Sequence, residues 1–190
     1  SFIALVSNSL RFAARQVDRL IQERPNPIHL WEEDDQFNKL INPILSHSLV
    51  DKPRCYMLYQ YAHHATHLSG DVAEIGVYKG GTAKLLAKSF EHIGKTVHLF
   101  DTFLGMPQTD RDRDLHAAGD FNDTSLDKVQ AFLSDCSNVR YYKGIFPLSA
   151  KPIDNLTFCF VHIDVDIYKS VHDCCDFFYP RMNQCGIMIF

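Results

Sequence analysis

Two carboxylates stand two residues apart, at Asp164 and Asp166, where the apolar run Phe158-Cys-Phe-Val-His-Ile163 ends. In an extended segment positions i and i+2 face the same side, so both can reach one site. Two acids so placed either hold a hard cation through oxygen or divide into a metal ligand and a general base. Capping the helix that begins near Tyr168 is the structural alternative. A third acid, Asp101, closes the run Thr96-Val-His-Leu-Phe. It lies about 20 to 25 positions beyond a glycine turn, where a doubly wound fold places the residue that hydrogen-bonds a ribose diol. Its alternative is an ordinary loop-capping aspartate. The turn itself, Gly76, Gly80 and Gly81 followed by Thr82, leaves the backbone open to a ligand, and the free N–H groups at the helix start point at it. A charged small molecule is the natural guest.

Two other groups carry less. His63 and His67 sit at i, i+4 on a helical segment, a spacing that can hold a metal, but no third ligand accompanies them and ordinary helix-surface histidines are the better reading. Cys174 and Cys175 are helix neighbours that cannot both enter one pocket, so an inward packing role fits better than a thiol nucleophile.

The elements that must position these residues alternate. Apolar positions at Leu10, Ala14, Val17 and Leu20/Ile21 predict a packing or oligomer-forming helix over residues 3 to 23, stopping before Pro25. The acidic stretch Glu32, Glu33, Asp34 and Asp35 reads as a solvated first turn leading to a helical face at Phe37, Leu40, Ile41 and Ile44. A further helix covers Pro53 to Leu68. Strands follow at Val72 to Val77, Thr96 to Asp101, Val139 to Lys143, Phe158 to Asp164 and Gly186 to Phe190. Between them lie helices from Thr82, from the weak capping box Thr124/Asp127, and from Ile167 to Phe178. Strands alternating with helices predict an α/β fold with a doubly wound, mostly parallel sheet, whose ligands lie at the carboxyl ends of the strands. Residues 1–68 are expected to form an N-terminal helical segment packed on an α/β domain spanning 69–190. Residues 102 to 123 have no regular period, and a loop that long in a compact domain is a lid, a binding loop or a disordered segment.

Composition agrees with one domain bearing a full core: 190 residues, 46% hydrophobic and 22% charged. A net charge of -4 with 19 scattered Lys and Arg offers no basic stripe for nucleic acid or an anionic membrane. Ser1 to Leu10 is too short to span a bilayer, and the absence of an initiator Met suggests a start inside a longer chain. Six cysteines without C-x-x-C or a secreted-framework spacing suit reduced thiols in the cytoplasm.

Four motifs in order, Glu74-Ile-Gly-Val-Tyr-Lys-Gly-Gly-Thr, Phe100-Asp-Thr-Phe-Leu-Gly-Met-Pro, His116-Ala-Ala-Gly-Asp-Phe and His162-Ile-Asp-Val-Asp-Ile-Tyr-Lys-Ser, resemble the TylF (macrocin O-methyltransferase) family across about residues 31 to 190. That family consists of class I S-adenosylmethionine enzymes that methylate sugar hydroxyls of natural products. The resemblance implies a Rossmann-like methyltransferase fold. It also implies that Glu74, Gly76 and the Gly80-Gly81-Thr82 turn hold the methionine end of S-adenosylmethionine, that Asp101 takes the ribose with Thr102 and Met106 nearby, and that Gly144 and Ile145 border the adenine. By the same resemblance Asp164 is a magnesium (Mg2+) ligand and Asp166 the catalytic base. The acceptor would be a small-molecule hydroxyl, on a sugar or other polyol; the oligomeric state is open, the helix over residues 3 to 23 being the candidate surface for a homo-oligomer. The family usually follows its fifth strand with an Asp-Asp-Tyr segment that completes the metal site, and the sequence stops at Phe190 before it. A chain truncated after the fifth strand is therefore expected to bind magnesium weakly and catalyse little.

Two competing functions belong beside this one. A nicotinamide oxidoreductase shares the sheet but expects G-x-G-x-x-G, whereas three non-glycines separate Gly76 from Gly80. A noncatalytic scaffold subunit retaining the cofactor fold is the other.

Overall fold

The computed structural model describes residues 29–190, so the helix expected over residues 3 to 23 lies outside the described residues. Asp34–Phe190 forms one compact unit. The short helix α1 (Leu30–Glu33) precedes it. Within the unit, α2 (Asp35–Ile41) begins where Asp34 Oδ1 accepts the Phe37 N–H at 2.9 Å, so part of the acidic stretch is a working N-cap. The next helix, α3 (Lys52–Ala65), starts the same way at Asp51, with Pro53 in its first turn. It ends short of the expected Leu68.

Five strands follow: β1 (Asp71–Ile75), β2 (Val97–Asp101), β3 (Val139–Lys143), β4 (Phe158–Ile163) and β5 (Met182–Ile189). They form one parallel sheet in the order β3-β2-β1-β4-β5. The order reverses between β1 and β4, so the switch point lies at the ends of these two strands. Helices α4 (Gly81–Phe90), α5 (Leu126–Phe132) and α6 (Tyr168–Phe178) make three of the four crossovers, and the 3-10 helix Leu148–Ile153 lies on the fourth, from β3 to β4. The doubly wound, mostly parallel fold expected from the alternation is the fold observed.

The central strands are short apolar runs because both faces are covered. On one face Ala73, Ile75, Phe100, Phe158, Val161 and Ile163 meet Cys174 and Phe178 of α6. On the other, Phe160 meets Phe90 of α4 at a ring separation of 6.0 Å. Each fully buried phenylalanine contributes about 1.5–3 kcal/mol. Cys174 is the inward member of its pair and Cys175 the less buried one.

Two expected boundaries move. The fifth strand begins at Met182 rather than Gly186, because Met182 already pairs with Phe158; the register then shifts, and pairing resumes with Ile187 opposite Phe160. Helix α5 is capped by Ser125, whose hydroxyl accepts the Lys128 N–H, rather than by Thr124. The Thr124 hydroxyl donates instead to the Tyr78 carbonyl, tying the end of the long loop to the glycine turn.

Candidate active site

At the carboxyl ends of the strands a cleft of ≈ 320 Å³ opens over the switch point. From the glycine turn it is lined by Gly76 and Thr82, and from the segment after β2 by Asp101, Thr102 and Met106. Gly144 and Ile145 reach it from β3, and Asp164 and Asp166 from β4. Nine sequence-predicted residues therefore meet in one cavity, whereas Glu74, Gly80 and Gly81 lie behind its wall.

The glycines of the turn serve packing as much as access. Gly76 has φ +88°, and a Cβ there would stand 2.0 Å from the Asp164 carbonyl oxygen; only glycine lets β1 and β4 leave the sheet side by side. Gly80, at φ +89°, is the left-handed residue that starts α4. A Cβ on Gly81 would meet Ser48 Cβ at 2.6 Å and the His47 carbonyl oxygen at 2.7 Å. The start of α4 is thus pressed against the 47–48 segment, whose residues also line the cleft.

Asp101 is committed to the turn. Its Oδ2 accepts the Val77 N–H at 2.7 Å and the Tyr78 N–H at 3.0 Å, and its Oδ1 accepts the Phe103 N–H at 2.6 Å. The carboxylate gathers three backbone donors from two loops and keeps lone pairs toward the cleft. The Thr102 hydroxyl donates to the Gly105 carbonyl at 2.6 Å, closing the first turn of the long loop.

Behind the wall, Glu74 is fully buried and bonded to Nδ1 of His162 at 2.9 Å, with the histidine 6% exposed. Burial pushes the Glu74 carboxyl up, while the His162 hydrogen bond and charge and the nearby Thr82 hydroxyl pull it back. Burial opposes the charge on His162, but its bond to Glu74 and the charges of Glu74 and Asp164 carry its pKa above the ordinary histidine value. Asp164 also sits above the usual carboxylate range, through burial first; His162 pulls it down and the charge of Asp166 pushes it up.

The capping alternative for the carboxylate pair is not what the helix uses. Helix α6 has no cap from its own N-cap residue, Ile167; Asp114 of the long loop accepts the Tyr168 N–H at 2.9 Å. Asp166 instead adopts φ +53° and faces the cleft. Tyr78 and Phe121, with φ +51° and +59°, line the same cavity. Strained non-glycine residues gather where a site over-determines its backbone.

Several lining residues carry no motif in the sequence. His47, Ser48, Leu49, Val50 and Arg54 form a wall contributed by the segment before β1. Apolar spacing describes α3 as a packing helix, and nothing in it signals that its first turn borders a site. The long loop is ordered: Met106 N–H donates to the Asp120 carbonyl and Gly119 N–H to the Met106 carbonyl, at 2.7 and 2.9 Å. Its His116 and Phe121 rings stand 5.0 Å apart on the cavity rim. Among the described residues no three His, Cys, Asp or Glu side chains converge as a metal cluster, His63 and His67 included. No helix among them is long and apolar enough to cross a membrane.

Known proteins resemble this chain. A rhamnosyl-tetracenomycin-C 4'-O-methyltransferase from Streptomyces olivaceus is 29% identical over 168 residues, and demethyldecarbamoylnovobiocin O-methyltransferase from Streptomyces niveus 26% identical over 165 residues. Each alignment covers 77% of this chain, and the chain spans 62% of the length of either relative. The crystal structure of CalS11, a calicheamicin methyltransferase, superposes with a TM-score of 0.62 at 16% identity, covering 92% of this chain and 74% of that one. The likeness at that identity establishes the Rossmann-like class I methyltransferase fold. The macrocin O-methyltransferase (TylF) family matches residues 10–190, and the chain belongs to that family.

Proposed function

We propose that this chain holds S-adenosylmethionine in the strand-end cleft and directs its methyl group to a hydroxyl of a small, sugar-bearing acceptor. The observation that carries the reading is the meeting of the glycine turn, the start of α4 at Thr82, and the Asp164/Asp166 pair in one cavity. An orphaned atom suits the same guest: Glu74 Oε2 is buried without a hydrogen-bond partner, and a cationic amino group beside Thr82 would satisfy it.

When bound, S-adenosylmethionine supplies an electrophilic methyl on a sulfonium, which an acceptor oxygen takes in line. Thr82 and the free N–H groups of α4 receive the carboxylate end of the donor. Asp101, fixed by three backbone donors, offers its remaining lone pairs to the ribose hydroxyls, with Thr102 and Met106 beside it. Gly144 and Ile145 border the adenine. Asp166, held at the cleft by its left-handed turn, removes the acceptor proton. Asp164 is the residue to hold Mg2+, whose Lewis acidity would lower the pKa of the acceptor hydroxyl. The donor set suits a cation, since two carboxylates crowd each other, though with waters alone they make a weak site. The alternative oxidoreductase and scaffold readings lack a comparable observation.

Calorimetric titration of this chain with S-adenosylhomocysteine and with NADH tests the reading. Binding of the former alone is expected; binding of NADH alone overturns it.

A further inference from the structure

Glu74 and His162 are direct register partners across β1 and β4, so their side chains leave the same face of the sheet, beneath the starts of α3 and α4. The His162 Nδ1–H donates to Glu74 Oε1 at 2.9 Å. That bond takes one carboxylate oxygen and fixes the rotamer of the whole group. The other oxygen, Oε2, has no partner and no access to solvent. A buried carboxylate oxygen left unmatched is expensive, and proteins keep such groups where something arrives to match them. Thr82 is the neighbour that Glu74 shares with the cleft: its hydroxyl acts on the Glu74 carboxyl, and its side chain is part of the lining. Thr82 therefore stands between the cleft and the Glu74 carboxyl.

We propose that His162 is a positioning residue, which by holding one oxygen of Glu74 presents the other to the ammonium of a nucleoside that carries an amino-acid arm. The assignment rests on the donor reading above and names the part of the donor that this buried pair selects. Asp164, two residues on and just past the end of β4, is not required for it. The histidine touches no ligand; it acts through the carboxylate.

The test compares two ligands that share the adenosine and the sulfur. S-adenosylhomocysteine has the amino-acid arm, and 5'-methylthioadenosine lacks it. In calorimetric titrations of the 1–190 chain, His162→Leu and Glu74→Gln are each expected to weaken S-adenosylhomocysteine binding about ten- to hundredfold, the scale of one charged hydrogen bond. Affinity for 5'-methylthioadenosine should stay within about twofold in both. His162→Gln, which keeps an N–H donor at that point, should recover most of the loss. Equal weakening of both ligands by His162→Leu, with Glu74→Gln still selective, assigns His162 to packing and overturns its positioning role. Unchanged S-adenosylhomocysteine affinity in Glu74→Gln overturns the whole assignment. Failure of the unaltered chain to bind either ligand would sink the donor reading, and this inference with it.

Discussion

Asp166 shows what a single residue's placement adds to its identity. The spacing of Asp164 and Asp166 left metal binding, base catalysis and helix capping open, and the loop aspartate Asp114 takes the capping task at Tyr168. With the helix served from elsewhere, the left-handed Asp166 faces the cleft. Asp166→Asn is expected to reduce methyl transfer at least about a hundredfold, the usual share of a general base, while calorimetry finds S-adenosylhomocysteine binding unaltered. Unchanged turnover would remove Asp166 from the mechanism. Gly76 makes a second case. The sequence marks it as a turn glycine, but nothing in it says that the missing Cβ makes room for the Asp164 carbonyl at 2.0 Å, a contact between the residues that follow β1 and β4. Gly76→Ala combines a positive φ with that clash and should cost about 2–4 kcal/mol in urea unfolding. A loss below about 1 kcal/mol would mean that the strand ends can separate freely.

At the scale of elements, the legible parts are those whose own residues set their structure. Alternating apolar runs and caps placed all five strands and the helices between them, because burial on both faces forces continuous apolar strands. What escaped were tasks set by partners. Thr124 satisfies the capping pattern, yet its hydroxyl is drawn to the Tyr78 carbonyl and Ser125 takes the cap. The loop over residues 102 to 123 lacks periodicity, but its backbone pairs with itself at Met106, and neighbours pin it at its far end and in its middle. One pin is the ion pair of Asp123 with Lys79, joined by the Tyr78 hydroxyl. The other is Asp114, which accepts the Asp110 N–H as well as the Tyr168 N–H, while the Arg113 guanidinium stands 5.0 Å from the Tyr168 ring centre. These donors hold the Asp114 carboxyl below the usual range. Asp114→Ala should therefore free the middle of the loop without unfolding the sheet. Limited proteolysis would cut faster between residues 108 and 118 while the melting temperature moves little; an unchanged cleavage rate would show that the pin is not what orders the loop.

Across the whole molecule, one buried residue joins three strands and makes folding answer to pH. His98 on β2 is 4% exposed, with Asp71 of β1 at 3.1 Å from its Nε2 and the Tyr142 hydroxyl of β3 at 2.8 Å from its Nδ1. A neutral imidazole satisfies both, Nε2–H donating to the carboxylate and Nδ1 accepting from the phenol. Burial depresses its pKa below the ordinary value of 6.5; the bond and charge of Asp71 oppose that, and Arg140 adds to it. The unfolded chain therefore takes up a proton that the folded one refuses, so this group's contribution is complete above pH 6.5 and is lost as the pH falls below it. His162 has the opposite sign: its raised pKa favours the folded state at low pH, and that contribution fades as the pH rises through its folded value. The net profile mixes the two, so the informative quantity is a difference between variants. Urea midpoints measured at about pH 5.5 and 7.5 should rise with pH more steeply in the unaltered chain than in His98→Gln, whose amide keeps a donor and an acceptor but cannot titrate. Parallel slopes in the two proteins would mean that the Asp71 carboxylate stabilises a charged His98 as well as the solvent does, and that the neutral bridge between the three strands is not the form the fold selects.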